Sequence, residues 1–154
     1  MIFPGFHHSF QFPNPFHHRH EGGVNFNFEI IFVSPRFMRY IGKPRPRIGG
    51  SVNSQGDTSN AYVDLDWGYQ FRAGPFIEAF GGGAVHDGKL FNGNPTRADL
   101  GSRLLFHIGA EAGCRLFRHH GISLFWEHMS NSALAKRNQG LDSMGLRYSY
   151  RFDR

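Results

Sequence analysis

Residues 104–116 read LLFHIGAEAGCRL, the clearest two-faced pattern in the chain. Its even-numbered positions are all apolar or small, whereas the odd-numbered positions from His107 onwards are polar or glycine. Successive side chains of a β-strand point to opposite faces, so this alternation predicts a strand with one apolar and one polar face. The strand is long for a soluble sheet, and its length suits a tilted strand that crosses a bilayer.

The same alternation recurs on both sides of this stretch. Seven segments of the chain carry it or read as short strands between turns: 24–32, 47–54, 61–71, 75–85, 104–116, 122–131 and 142–152. Connections at 72–74 and 117–119 are short, whereas those at 86–102 and 132–141 are long. Outer-membrane barrels combine short periplasmic turns with longer outside loops and have an even number of strands. The sequence therefore predicts an all-β, eight-stranded antiparallel outer-membrane β-barrel.

The eighth strand is difficult to place in the sequence. It would have to lie within residues 1–23, which are rich in His, Pro and Phe. Residues 2–12 alternate weakly, but prolines are unfavourable inside a paired strand. We therefore expect an irregular N-terminus over 1–23, with the first strand truncated or degraded, followed by the transmembrane barrel over 24–154. No signal peptide is visible. A start codon placed too late would explain both features.

Composition and charge argue against several kinds of partner and site. The net charge of +5 comes from basic residues that are scattered rather than gathered in one run, which argues against nucleic acid as a partner. The single Cys114 excludes an internal disulfide and a Cys-based zinc site. Half of the ten His lie in residues 1–23, but no carboxylate or Cys joins them at ligand spacing, so an irregular terminus is favoured over a metal-binding tract.

Candidate catalytic residues lie in the last third of the chain. His128 and Ser130 share the strand face that also carries Trp126, and Asp142 has the parity to return beside them in an antiparallel hairpin. Glu127 adjoins His128 but points to the other face. A hydroxyl, an imidazole and a carboxylate are the groups of a serine hydrolase, and Asn131 with the following backbone N–H groups could serve the oxyanion.

Several blocks of the sequence resemble the lipid A 3-O-deacylase (acyloxyacyl hydrolase) family over roughly residues 22–152. The blocks are FWEHMSN at 125–131, NQGLD at 138–142, GLRYSYRF at 145–152, SVNSQGDTS at 51–59 and GGGAVHDG at 81–88. The resemblance implies an outer-membrane barrel that removes the ester-linked acyl chain at position 3 of lipid A without a metal or cofactor. It implies Ser130 as nucleophile, His128 as general base and Asn131 in the oxyanion hole. Asp142 stands where the family typically has Glu.

The expected partners are lipid A within lipopolysaccharide and the surrounding outer-membrane lipids, and a homodimer is left open. Lys136 and Arg137 could meet lipid A phosphates or belong to an ordinary solvated loop. Two other functions remain: an inactive barrel with a structural or adhesive role, and a soluble barrel that binds an apolar ligand inside. The last requires apolar inward faces, which the predicted strands lack.

Overall fold

The computed structural model describes residues 5–13, 23–90, 100–132, 134 and 140–152. They form a closed barrel in which eight antiparallel strands pair in chain order and β1 closes on β8. The strands are β1 Gly5–Pro13, β2 Asn25–Ile31, β3 Arg45–Asn53, β4 Asn60–Gln70, β5 Pro75–His86, β6 Leu104–Arg115, β7 His120–Ser130 and β8 Leu141–Arg151, with a 3-10 helix at Arg36–Ile41 between β2 and β3. The predicted fold class is confirmed. No helix in the described part of the chain has the length and apolar content needed to cross a membrane.

The first strand corrects the expectation of a truncated or degraded strand within residues 1–23. β1 pairs with β2 from Gly5 to Gln11 and with β8 from Gly5 to Pro13. Pro13 is tolerated because it is the last residue of its strand, where loss of one ladder donor costs little. Closure also satisfies backbone groups of β2 and β8 that would otherwise be exposed to lipid. Residues 14–22 of the expected irregular segment lie outside the described residues.

The barrel is apolar outside and polar inside. Its outward side chains include Phe10, Phe26, Phe28, Ile30, Ile48, Val63, Trp67, Ile77, Phe106, Ile108, Ile122, Leu124, Trp126, Leu146 and Tyr148. Its buried inward side chains include His7, Gln11, Asn27, Glu29, Arg47, Asp64, Asp66, Glu78, His107, Glu111, Ser123, Glu127 and Arg147. This arrangement is the reverse of that in a soluble protein. It suits a barrel whose outer face is surrounded by lipid. It contradicts a soluble barrel that holds an apolar ligand inside.

A network of ion pairs and hydrogen bonds fills the interior. Arg147 reaches Glu29 at 2.6 Å and also contacts Glu111. The Tyr62 hydroxyl donates to Glu29 at 2.7 Å, and Arg47 lies between Glu29 (3.5 Å) and Asp64 (3.3 Å). Buried charges are tolerated only when they are paired in this way, so the strands are fixed to one another across the interior.

An apolar cluster covers this network at the end of the barrel that carries the longer connections. It consists of Tyr62, Ala84, Leu100, Leu105 and Met129, with Leu141 packed against it. Leu100 belongs to the connection between β5 and β6, and this residue is buried in the barrel mouth. The end of β7 and the start of β8 lie beside this cluster.

Candidate active site

His128 and Asp142 are directly opposite each other in the ladder between β7 and β8. The His128 Nδ1 and Asp142 Oδ1 atoms are 3.0 Å apart, which is hydrogen-bond distance. The His128 side chain is 31% exposed and that of Asp142 is 11% exposed, so the pair borders the lipid side of the wall. The predicted hairpin register is therefore confirmed. In the tautomer with a proton on Nδ1, the Nδ1–H group donates a hydrogen bond to Asp142 Oδ1, and Nε2 is then the free imidazole nitrogen.

Ser130 ends β7, two residues after His128, and is half-buried. It pairs with Phe106 of β6, and residues two apart in a strand lie on the same face. The hydroxyl therefore stands on the outward face with the imidazole. The neighbouring outward residues Phe106 and Ile108 are apolar, so the polar groups lie at the edge of an apolar wall.

Two further residues border the imidazole, and sequence reasoning gave neither of them a role. The Trp126 ring is nearly parallel to that of His128, with centroids 6.2 Å apart and an interplanar angle of 15°. Gly140 has a φ of +52°, and a Cβ built on it would lie 2.8 Å from His128 Cε1. The backbone conformation therefore favours glycine there, and a larger residue would press on the imidazole. The sequence signal was the glycine that ends the loop before Asp142.

Asn131 follows β7 and is buried, with 2% exposure. Its Nδ2 atom donates to the carbonyl oxygen of Leu100 at 2.9 Å. The side chain thus joins the end of β7 to the connection from β5, on the inner side of the wall. The turn that follows includes Ser132 at a φ of +51°, and the Leu134 N–H donates to the Asn131 carbonyl at 3.0 Å. The oxyanion role of Asn131 stays a prediction.

Glu127 lies away from the imidazole of its neighbour. It is buried, with Oε1 accepting from Gln11 Nε2 at 2.9 Å and Oε2 lying 3.5 Å from His107 Nε2. The predicted inward direction of Glu127 is confirmed. Its carboxylate belongs to the interior network, so of the two acids only Asp142 contacts His128.

The N-terminal histidines divide between the two faces of β1. His7 is buried inside the barrel 3.6 Å from Glu29, and its neighbour His8 contacts the outward Phe10 ring. The other three, His17, His18 and His20, lie outside the described residues, as do Lys136 and Arg137. Within the described ranges, no group of three or more His, Cys, Asp or Glu side chains is arranged to hold a metal ion.

Comparison with known proteins shows which protein family the sequence matches. A model of the lipid A 3-O-deacylase (PagL) family matches residues 20–151. Among solved structures, the chain is similar to the crystal structure of the outer membrane enzyme PagL, with a TM-score of 0.76 and 19% identity over 96% of this chain and 99% of that chain. It is also similar to the solution structure of the de novo designed TMB2.3, with a TM-score of 0.60 and 10% identity over 99% of this chain and 96% of that one. No curated protein sequence matches. At these identities the two structures support the fold alone.

Proposed function

This chain belongs to the lipid A 3-O-deacylase (PagL) family, and we propose that it cleaves the 3-O-linked acyl ester of lipid A with Ser130, His128 and Asp142. The family and the barrel together support a hydrolase of the bacterial outer membrane that acts on lipid A. The residue assignment is carried by the 3.0 Å contact between His128 and Asp142, next to Ser130 on the outward face.

The first chemical step is acyl transfer to the serine. The Ser130 Oγ atom attacks the ester carbonyl carbon, and its proton passes to His128 Nε2. Asp142 holds the tautomer in which Nδ1 carries a proton and stabilises the positive charge that forms on the ring. The Trp126 ring lies nearly parallel to the imidazole, and Gly140 leaves room for it.

The tetrahedral intermediate places a negative charge on the former carbonyl oxygen. Asn131 is our candidate for stabilising it, on the strength of the family resemblance and its position directly after Ser130. Its side-chain nitrogen donates to Leu100 here. An oxyanion contact from that nitrogen therefore requires the bond to Leu100 to be released, whereas a contact from the main chain of the turn does not.

Collapse of the intermediate breaks the bond between the acyl carbon and the sugar oxygen. His128 returns the proton to that oxygen, so the 3-hydroxyl of lipid A leaves and the acyl chain stays on Ser130. Water then attacks the acyl-serine, gives its proton to His128, and releases the fatty acid with a restored serine. Every step uses side chains of this chain and one water molecule.

The position of the site suits a substrate that stays in the membrane. The outward residues around Ser130 are apolar, and the site lies at the end of the barrel with the longer connections. In outer-membrane barrels these connections face outwards. The ester of an outer-leaflet lipid A could thus reach Ser130 without its acyl chains leaving the bilayer.

The test is to express the whole chain in bacteria whose lipid A retains the 3-O-acyl groups and to measure lipid A by mass spectrometry. We expect loss of the mass of one acyl chain with the unchanged protein and no loss with Ser130→Ala, since removing a triad nucleophile lowers kcat by up to ~10⁶. Ser143→Ala is the matched control, because this serine adjoins Asp142 but has inward parity.

Folding of each variant is checked by its heat-dependent mobility on gels. Lipid A that is unchanged by the folded parent protein would favour the alternative, a non-enzymatic barrel with a structural or adhesive role. Deacylation by folded Ser130→Ala would contradict the serine mechanism.

A further inference from the structure

The wall of the barrel has an opening at the end opposite His128. β3 begins at Arg45, which pairs with Asp66, whereas β4 continues to Gln70. Residues Trp67–Gln70 therefore pair only with β5. A crevice of about 810 Å³ lies at this unpaired edge and is lined by both outward and inward residues.

The connection between β2 and β3 forms the outer lip of the crevice. The Trp67 Nε1 atom donates to the carbonyl oxygen of Ile41 at 2.9 Å. Gly42 has a φ of +88°, and a Cβ added there would lie 3.3 Å from the Trp67 indole. Lys43 follows at a φ of +57° and lines the crevice as an exposed cation. The lip is thus held in place by specific contacts.

At the inner end of the crevice two carboxylates share one arginine. Arg45 contacts two carboxylates, Asp66 at 2.5 Å and Glu78 at 2.8 Å. The Glu78 side chain is 3% exposed, and its Oε2 atom has no hydrogen-bond donor among the described residues. A buried carboxylate oxygen without a donor is costly, so this position favours a cationic group with N–H donors.

The neighbouring Gln70 does not supply that donor. Its Nε2 atom donates to the carbonyl oxygens of Gly74 (2.6 Å) and Pro75 (2.9 Å). Its Oε1 atom accepts from Arg115 at 3.0 Å and from Arg151 at 2.9 Å. Gln70 therefore closes the inner end, and the residue opposite Glu78 in the ladder is Gly68, which has no side chain to cover the carboxylate.

We propose that this crevice binds an aminophospholipid of the phosphatidylethanolamine type from the inner leaflet. Its lining combines the buried Glu78 carboxylate, the exposed Lys43 ammonium and the outward Trp67, Tyr69 and Ile77. The lipid carries the complementary groups: a primary ammonium, a phosphate and acyl chains. The ammonium donates to Glu78 Oε2, the phosphate lies near Lys43, and the chains lie along the outer wall. Only the choice of leaflet rests on the orientation used for the proposed function.

The test is lipid binding to the purified, folded chain, measured by native mass spectrometry and by exchange from mixed micelles. The probes are phosphatidylethanolamine, phosphatidylcholine and phosphatidylglycerol with identical acyl chains. Phosphatidylcholine has a cation without N–H donors, and phosphatidylglycerol has no cation. We expect about tenfold preference for phosphatidylethanolamine, the effect of one hydrogen bond to a charged group.

Two variants and a control locate the site. Glu78→Gln should abolish the preference for phosphatidylethanolamine over phosphatidylcholine. Lys43→Gln should weaken the binding of phosphatidylethanolamine and of phosphatidylglycerol to the same extent. Lys89→Gln, at the other end of the barrel, should change neither. Equal retention of the three lipids by the parent protein, or an unchanged preference in folded Glu78→Gln, would overturn the proposal.

The comparison of the three lipids on the parent protein decides the question even where Glu78→Gln does not fold. Binding is read without deacylation, and Ser130→Ala carries the same crevice. Failure of the lipid site is therefore distinguishable from failure of the proposed function.

Discussion

Glu127 and Asp142 lie on opposite sides of the barrel wall, although one adjoins His128 in sequence and the other faces it across the ladder. Glu127 contacts Gln11 and His107 inside, whereas Asp142 contacts the His128 imidazole at 3.0 Å. The shorter acid reaches the ring because the hairpin places it directly opposite. Distance along the chain is thus a poor guide to which carboxylate contacts the imidazole.

Substituting each of these two acids separately should distinguish their roles. We expect Asp142→Asn to lower kcat by about 10⁴, the loss seen when a triad carboxylate is neutralised, because the imidazole tautomer is no longer held. Glu127→Gln should cost far less activity, since it changes only the interior network. Asp142→Glu should retain activity and could exceed the parent. The measurement is the rate of fatty acid release in detergent, and inactive Glu127→Gln beside normal Asp142→Asn would contradict this assignment.

Gly140 offers a test of imidazole positioning. Gly140→Ala should lower kcat by about 10²-fold, because a methyl group 2.8 Å from His128 Cε1 displaces the ring from Ser130 or Asp142. Gly56→Ala is the matched control: Gly56 has a φ of +71° and no heavy atom within 4 Å of an added Cβ. Both variants carry a left-handed backbone penalty of roughly 1–2 kcal/mol, but only Gly140 is next to the imidazole. Similar rates for the two variants would exclude the steric explanation.

The closure of the barrel by β1 can be tested at Gly145 on β8. A Cβ on Gly145 would collide with the carbonyl oxygen of Phe10, so Gly145→Ala should destabilise the barrel by about 1–3 kcal/mol through overpacking. At Gly83 the nearest atom to an added Cβ is the Leu105 carbonyl oxygen at 3.8 Å, an ordinary contact. Unfolding in urea, followed by gel mobility, compares the two. If Gly145→Ala were as stable as Gly83→Ala, the pairing of β1 with β8 would be in error.

Sequence reasoning placed most of its strands by the alternation of apolar and polar residues. The stretch 104–116 has one apolar and one polar face, and the structure has β6 there with one face to lipid and the other inside. The same parity argument put Asp142 beside His128, because a slip by one residue would turn its side chain to the other face.

The remaining parts depend on contacts that alternation does not encode. β1 looked unfavourable because prolines flank it, yet strand pairing on both of its edges forms it. The side chain of Asn131 meets Leu100, which lies in a distant connection with no periodic pattern. The gap beside Trp67 arises because β3 and β4 differ in length at one end. Such features follow from closure of the barrel rather than from any single segment.

The outward position of Ser130 and His128 has a kinetic consequence for an enzyme that acts on lipid A. A substrate held in a bilayer or micelle meets these residues by lateral diffusion along the apolar wall. The rate should then follow the mole fraction of lipid A in the detergent or lipid surface rather than its amount per volume of solution. Adding inert detergent at constant lipid A would slow turnover by surface dilution, and crowding lipid A into fewer micelles would restore it.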